Sequence, residues 1–306
     1  MPRVAARLGS ALLTLAGISL GVFLLVHAIP GDPVDVMLGE RAAAADREAL
    51  REALGLSSDP FTAAARYYGR LSRGDLGVSL QTREPILDVL MERAPATLQL
   101  AGSALLLAIV FALPLGVLGA RREGQWPDHV MSGLTVFGAA VPGFVLGPLL
   151  ILVFAVWLGW LPVAGAGSPV GLILPAVTLA LGMSAILSRQ LRAALLGTVR
   201  EPYIVAARAR GLSERAVLRR HALRNAAIPV LTVLGMQLGA LLGGAVITET
   251  VFAWPGLGRL TLEAIEHRDY PLLQGCVLVI STAYVAVNGV TDLLLAWCDP
   301  RLRADP

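Results

Sequence analysis

The sequence predicts an all-α membrane protein with about six transmembrane helices, on three observations. Of its 306 residues 56% are hydrophobic and only 15% are charged, with a mean hydropathy of +0.69, whereas soluble domains are about half apolar and a quarter charged. Apolar runs of about the 20 residues needed to cross a bilayer occur near Ser10–Ile29, Thr97–Ala120, Val130–Leu158, Leu172–Leu187, Pro229–Ile247 and Leu272–Trp297. The arginines alternate between the segments joining these runs, as the positive-inside rule requires of a multi-pass chain.

The first run follows Arg3 and Arg7 in the manner of a signal peptide. No small-residue cleavage site comes after it, since Ala28-Ile-Pro-Gly-Asp32 leads into folded-looking sequence, so the run is expected to be retained. The next segment, 30–95, is expected outside. Between Gly31 and Ala94 it holds eight Arg against eleven acids, and long loops weigh little in the charge rule. Ala42–Leu54, ending at Gly55, and Ala63–Leu71, ending near Gly74, have the composition of short helices forming a small cap.

Arg121 and Arg122 follow the second run, nine Arg lie between Arg189 and Arg224, and Arg301 and Arg303 follow the sixth. With six spans these all share the side of Arg3 and Arg7. The alternate loops agree: Gly159–Val170 is uncharged and Glu249–Tyr270 is more acidic than basic. Both termini are therefore expected in the cytoplasm. The chain divides into a cytoplasmic N-terminus with the first helix (1–29), the outer segment (30–95), a transmembrane core (96–298) with a cytoplasmic loop at 189–228, and a cytoplasmic tail (299–306).

Composition also narrows the chemistry. The net charge of +3 is carried next to apolar spans, where topology accounts for it, so nucleic acid is not expected as a partner. All 25 basic residues are Arg, which excludes a P-loop lysine, a Schiff base and a Ser-Lys dyad. If ATP drives this protein, another chain binds it. Cys276 and Cys298 lie in one apolar run, roughly 33 Å apart along a helix, too far to bridge. His27, His129, His221 and His267 are scattered and form no metal signature. Gly182-Met-Ser184 is the nearest approach to a nucleophile motif, and no span offers a central His as its base. Glu249 and Asp292 fall near helix ends, where snorkelling or capping would satisfy them.

Two regions attract functional readings. Gly235, Gly239 and Gly243, at intervals of four, put a smooth ridge on one helix face, suited either to a subunit interface beside a pathway or to packing within the chain. Gln237 in the same helix suits pathway lining or an interhelical hydrogen bond. The second region is the arginine-dense island Gln190–Asn225. Within it Glu201–Leu212 has the makings of a short helix, with Ile204, Val205 and Ala207 to Ala209 supplying contacts, Arg208 and Arg210 at polar positions and Gly211 as C-cap. Such a helix could seat in a groove of a partner, or lie on anionic lipid through its arginines.

Taken in order, the motifs resemble the peptide/nickel permease family of ABC importers. They are Pro30-Gly-Asp-Pro33, Leu54-Gly-Leu56, Arg73-Gly-Asp-Leu-Gly77 with Ser79, Arg93-Ala-Pro-Ala-Thr-Leu98, Trp160-Leu-Pro162, Gly243-Gly-Ala-Val-Ile-Thr-Glu249, Val251-Phe-Ala-Trp-Pro-Gly-Leu-Gly-Arg259, Asp269-Tyr-Pro271 and Asp299-Pro-Arg301. The island resembles the family's coupling loop: Ala206, Ala207 and Gly211 match its two alanines and glycine, and His221-Ala-Leu-Arg-Asn225 suits the branch. Val205 departs, standing where many importers carry glutamate.

The resemblance implies a type I importer permease fold and a non-catalytic subunit. Its implied partners are two ATP-binding subunits, a second related permease, an extracytoplasmic substrate-binding protein and membrane lipid. It implies no cofactor or metal on this chain, with ATP and Mg on the partner subunits. Tyr203, Ala206, Ala207, Arg208, Gly211, His221 and Asn225 would form the ATPase-coupling loop, and Gly235, Gln237, Gly239, Gly243 and Glu249 the pathway or subunit interface. The cargo would be a dipeptide or oligopeptide, with nickel or a nickel chelate as the alternative. A passive channel and an intramembrane hydrolase are readings of a different class, and neither explains the full set of motifs.

Overall fold

In the computed structural model, residues 2–28, 34, 48, 60–165 and 168–298 are described. The motifs at 30–33, 54–56 and 299–301, the arginines at 301 and 303, and the helix expected at 42–54 (apart from Glu48) lie outside the described residues. The described chain is helical: α1 (Pro2–Ala28), α2 (Pro60–Leu71), α3 (Ile86–Arg121), α4 (Trp126–Ala140), α5 (Gly143–Leu150) continuing as a π turn (Ile151–Trp157), α6 (Ile173–Val199) and α7 (Pro202–Ala209). A lead-in of Glu214–Ala216 and a π turn (Val217–Ala222) then enter α8 (Leu223–Val251), followed by α9 (Leu257–Glu266) and α10 (Tyr270–Cys298).

Four helices are long and apolar enough to cross a membrane, and two bent pairs, Trp126–Ala140 with Gly143–Trp157 and Glu214–Leu241 with Gly243–Val251, raise the number to six. These are the six expected runs. Their large apolar side chains stay exposed, as at Leu13, Leu106 and Trp297, which a hydrocarbon solvent accommodates and water does not. Several boundaries move, two of them by about three turns. Instead of starting near Thr97, α3 begins at Ile86, and α6 runs past Leu187 to Val199. Hydropathy marks the part of a helix that meets lipid, whereas Asp88, Glu92, Arg189 and Arg192 lie within the helices but outside the apolar runs.

The third run breaks sharply, α4 and α5 meeting at 104°. Val141 precedes Pro142, and proline pushes its predecessor out of the helical region; Val141 accordingly has extended backbone, φ −80° and ψ 115°. Farther on, Pro148 inside α5 withdraws a donor, and the helix widens into the π turn at Ile151.

The described chain forms two compact units. One comprises Met1–Thr97 with Pro255–Val285. Its core gathers Val26, Ile86, Leu90, Leu260, Leu273 and Cys276, and Gly275 admits Ile86 where a Cβ would come within 2.7 Å of that side chain. At its flank Phe23 of α1 stacks on Tyr67 of α2, ring centroids 5.9 Å apart. The helix expected at Ala63–Leu71 is α2, begun three residues earlier at Pro60, a residue suited to a first helical turn.

Two polar clasps tie the pieces of this unit together. Asp269 is 1% exposed and caps α10, its Oδ1 accepting the Leu272 N–H at 3.2 Å. Its Oδ2 accepts the Ser79 hydroxyl at 2.5 Å and the Gln81 N–H at 3.2 Å. In turn the Ser79 hydroxyl oxygen accepts the Thr82 N–H at 3.1 Å, holding a small hairpin that Arg83 turns in left-handed backbone, φ 63°. The second clasp is Thr97, whose hydroxyl oxygen accepts the Leu257 N–H at 2.8 Å and so satisfies the first turn of α9.

The other unit comprises Leu98–Trp254 with Ala286–Pro306. One core joins Ala104, Ala108 and Ala112 of α3 to Ala180, Met183 and Leu187 of α6. Small residues on α3 let the two helices approach: a Cβ on Gly116 would stand 2.9 Å from Leu191 Cβ and from the Ser188 carbonyl. A second core carries the arginine-dense island.

Candidate functional site

The island folds as its sequence suggests, around a short helix. Pro202 at the first turn, after Glu201 in extended backbone, starts α7. Past its end, Gly211 takes φ +82°, a conformation with little cost only for glycine. There the Gly211 N–H donates to the Arg208 carbonyl (2.8 Å) and the Leu212 N–H to the Ala207 carbonyl (3.4 Å), the paired bonds of a Schellman cap. Gly211 is therefore the residue after the cap, and Arg210 is the cap itself.

One face of α7 is buried. Ile204 (0% exposed) and Ala207 (5%) enter a core with Leu191 and Leu195 of α6, Val217 and Ala222 of the π turn, and Ala226 of α8, and Leu212 packs against the same core. Val205 and Ala209, expected with Ile204 to supply contacts, do not enter this core; both are exposed. On an eight-residue helix the i, i+3 pair fills the buried stripe, and Val205 is rotated about 100° away from it. Tyr203, Ala206, Arg208 and Arg210 are also exposed, so the free face of α7 offers an aromatic ring, small apolar residues and guanidinium groups together.

Three of the expected loop residues meet. Asn225 Nδ2 donates to the Tyr203 hydroxyl at 2.7 Å and to the His221 carbonyl at 3.1 Å, tying the start of α7 to the start of α8. At the other end Arg208 forks onto Glu214 at 2.9 and 3.3 Å. Ser213 caps the lead-in by accepting the Ala216 N–H. Thus α7 is held by a core beneath and polar ties at both ends.

The residues expected along a pathway or subunit interface all lie on α8, in differing surroundings. Gly235 is buried against Thr291 of α10, whose Cβ would lie 3.0 Å from a Cβ at that glycine; here the ridge serves packing within the chain. Gly239 is buried and Gln237 half-buried, while Gly243 is exposed with open space where its side chain would be. Glu249 does not snorkel. It is 0% exposed, because the chain after α8 turns back and the Trp254 N–H donates to the Glu249 carbonyl at 2.7 Å. Asp292 is exposed. The Ser184 hydroxyl donates to the Leu181 carbonyl at 2.9 Å.

A further polar group was not singled out by the sequence. Arg192 of α6 donates from Nε and Nη2 to the two carboxylate oxygens of Asp128 in α4, both at 2.7 Å. Asp128, 5% exposed, also accepts the Gly124 N–H at 3.0 Å. The only local signal was Pro127-Asp128 opening a helix, which reveals the start of α4 but not its partner.

Comparison with known proteins agrees with this architecture. The chain matches the family described as binding-protein-dependent transport system inner membrane component over residues 112–304, and that family's N-terminal part over residues 3–101. It is 41% identical over 290 residues to the glutathione transport system permease protein GsiC of Escherichia coli O6:H1 strain CFT073, covering 95% of each chain. GsiC of Shigella flexneri serotype 5b is 40% identical with the same coverage. Among solved structures, the MetNI methionine ABC transporter in an inward-facing conformation shares the fold at a TM-score of 0.60 and 20% identity, over 71% of this chain and 99% of that one. An amino acid ABC transporter gives a TM-score of 0.53 at 19% identity, over 70% and 94%. This chain belongs to the family of binding-protein-dependent transport system inner membrane components.

Proposed function

We propose that this inner-membrane permease, a non-catalytic component of an ABC importer, conducts small peptides of the glutathione class, and that α7 is where it receives mechanical work from an ATP-binding subunit. The substrate reading is carried by the 41% identity to the glutathione permease GsiC, extending over 95% of both chains. The coupling reading is supported by the build of α7: one face anchored through Ile204 and Ala207, the opposite face free, and both ends tied. A helix held so firmly passes on a push as a rigid element instead of yielding to it.

In this account the chain pairs with a second permease, both termini face the cytoplasm, and an extracytoplasmic binding protein delivers the peptide. The core helices then rock between inward and outward access around the pathway. Ligands drive such rocking only by favouring one state over another. Affinity purification of the tagged chain from gently solubilised membranes, with mass spectrometry of what remains bound, tests the partners; recovery of ATP-binding subunits and a sister permease is expected. Uptake of radiolabelled glutathione, competed in turn by unlabelled dipeptide and by nickel, tests the cargo. Competition by nickel alone would sink the peptide reading.

A further inference from the structure

We propose that the Asp128–Arg192 ion pair, seconded by Glu123–Arg200, is the linkage that carries movement of α7 to the corner between α3 and α4. This inference rests on the reading of α7 as the docking helix. The path begins at the core beneath α7, where Ile204 and Ala207 press on Leu191 and Leu195 of α6. Any displacement of α7 therefore displaces the end of α6.

From α6 two arginines reach back to the same corner. Arg192, next to Leu191 in sequence, holds Asp128 by two bonds of 2.7 Å. Arg200, at the end of α6, holds Glu123 at 3.1 and 3.4 Å. Glu123 lies in the turn between α3 and α4 and Asp128 in the first turn of α4, where it accepts the Gly124 N–H. The corner is thus fastened to α6 chiefly by the Arg192–Asp128 fork, with the exposed Arg200–Glu123 pair as a weaker second contact.

The chemistry of the inner fastening suits transmission. Apolar surfaces resist compression but slide, so a purely apolar contact passes a push and not a pull or a twist. A planar guanidinium on a carboxylate fixes distance and orientation together. Close packing alongside keeps it from shearing: a Cβ on Gly119 would stand 3.1 Å from Arg192 Cδ, and one on Gly116 2.9 Å from Leu191 Cβ. Arg192 and Asp128 are positioning residues in this scheme, acting through the helices that carry them.

Hydrogen exchange on the purified complex of this permease with its ATP-binding subunits tests the linkage, comparing the nucleotide-free state with one trapped by ATP and vanadate. Trapping is expected to change exchange about threefold or more in both 202–212 and 122–132 in the wild type. In Asp128→Asn the change at 202–212 should persist and that at 122–132 should vanish. Because a single change leaves the guanidinium without its carboxylate and could prevent assembly, Asp128→Asn combined with Arg192→Gln provides a second test, with the same outcome expected. Arg192→Lys keeps the charge but not the fork, so it should assemble and still fail to transmit; full transmission with Lys overturns the role given to the fork. A wild-type response confined to 202–212, or an undiminished response at 122–132 in the variants, overturns the linkage. No response at 202–212 in the wild type refutes the docking reading itself.

Discussion

Gly211 offers a sharp test of how α7 is held. Its φ of +82° costs a residue with a Cβ about 1–2 kcal/mol. A Cβ built there meets nothing within 4 Å, so that cost comes from the backbone alone and not from a clash. It would weigh against the two cap bonds, Gly211 N–H to Arg208 and Leu212 N–H to Ala207, and thereby against Leu212 staying on the core. Such a cost shifts the balance between capped and frayed helix about five- to thirtyfold. Asparagine tolerates the left-handed region, and a β-branched residue tolerates it least. Transport per ATP hydrolysed, measured in proteoliposomes containing the whole importer, should therefore fall in the order Gly211, Asn, Ala, Val, with membrane insertion unchanged. A Val variant that couples as well as the wild type would refute the argument. So would an Asn variant as impaired as Val, which would point to the side chain instead of the backbone.

Other perturbations have equally definite outcomes. Ile204→Ala opens a hole under α7 worth about 2–5 kcal/mol and should make the 200–212 segment the first site cut in limited proteolysis. Asp269→Ala strands the Ser79 hydroxyl proton and the Leu272 amide, while the Gln81 N–H keeps the Ser79 hydroxyl oxygen at 3.2 Å; it should cost about 2–6 kcal/mol, against about 1–3 for Ser79→Ala, and thermal unfolding in detergent would expose a reversed order. Gly235→Leu should lower thermal stability by about 1–3 kcal/mol through collision with Thr291. At Gly243, where space is open, Ala should be neutral or mildly stabilising, and Leu should reduce recovery of a sister permease if that stretch faces it.

The transmembrane helices were legible because a bilayer demands contiguous apolar runs, a constraint written along the chain itself. The ends of α7 were legible for a related reason: Pro202 and Gly211 act on their own backbone and need no distant partner. Pairings were not legible. Ser79 and Asp269 both stood in recognised motifs, yet nothing local says that residues 190 apart are hydrogen-bonded. Arg192 was one arginine among nine, and its fork to Asp128 depends on α4 and α6 lying side by side. The burial of Glu249 was not legible, because distance along a helix is a poor guide to depth when the chain folds back over the helix end. Which apolar residues of α7 face the chain's own core was not legible either, because a helix of two turns has a single buried stripe and a list of apolar residues does not reveal which of them lie on it.

The discontinuous unit has a consequence for how the protein is made. Its core needs Ile86 and Leu90 from the first third of the chain and Leu260, Leu273 and Cys276 from the last. Thr97 waits 160 residues for Leu257 and Ser79 waits 190 for Asp269. At a synthesis rate of about 5–20 residues per second that is roughly 8–40 seconds, during which α1, α2 and the start of α3 are already emerging without the helices that complete them. The unit whose first residues leave the ribosome earliest is therefore among the last to close, and a nascent chain stalled after Trp254 would present the membrane quality-control machinery with an intact N-terminal sequence and no core to bury it in.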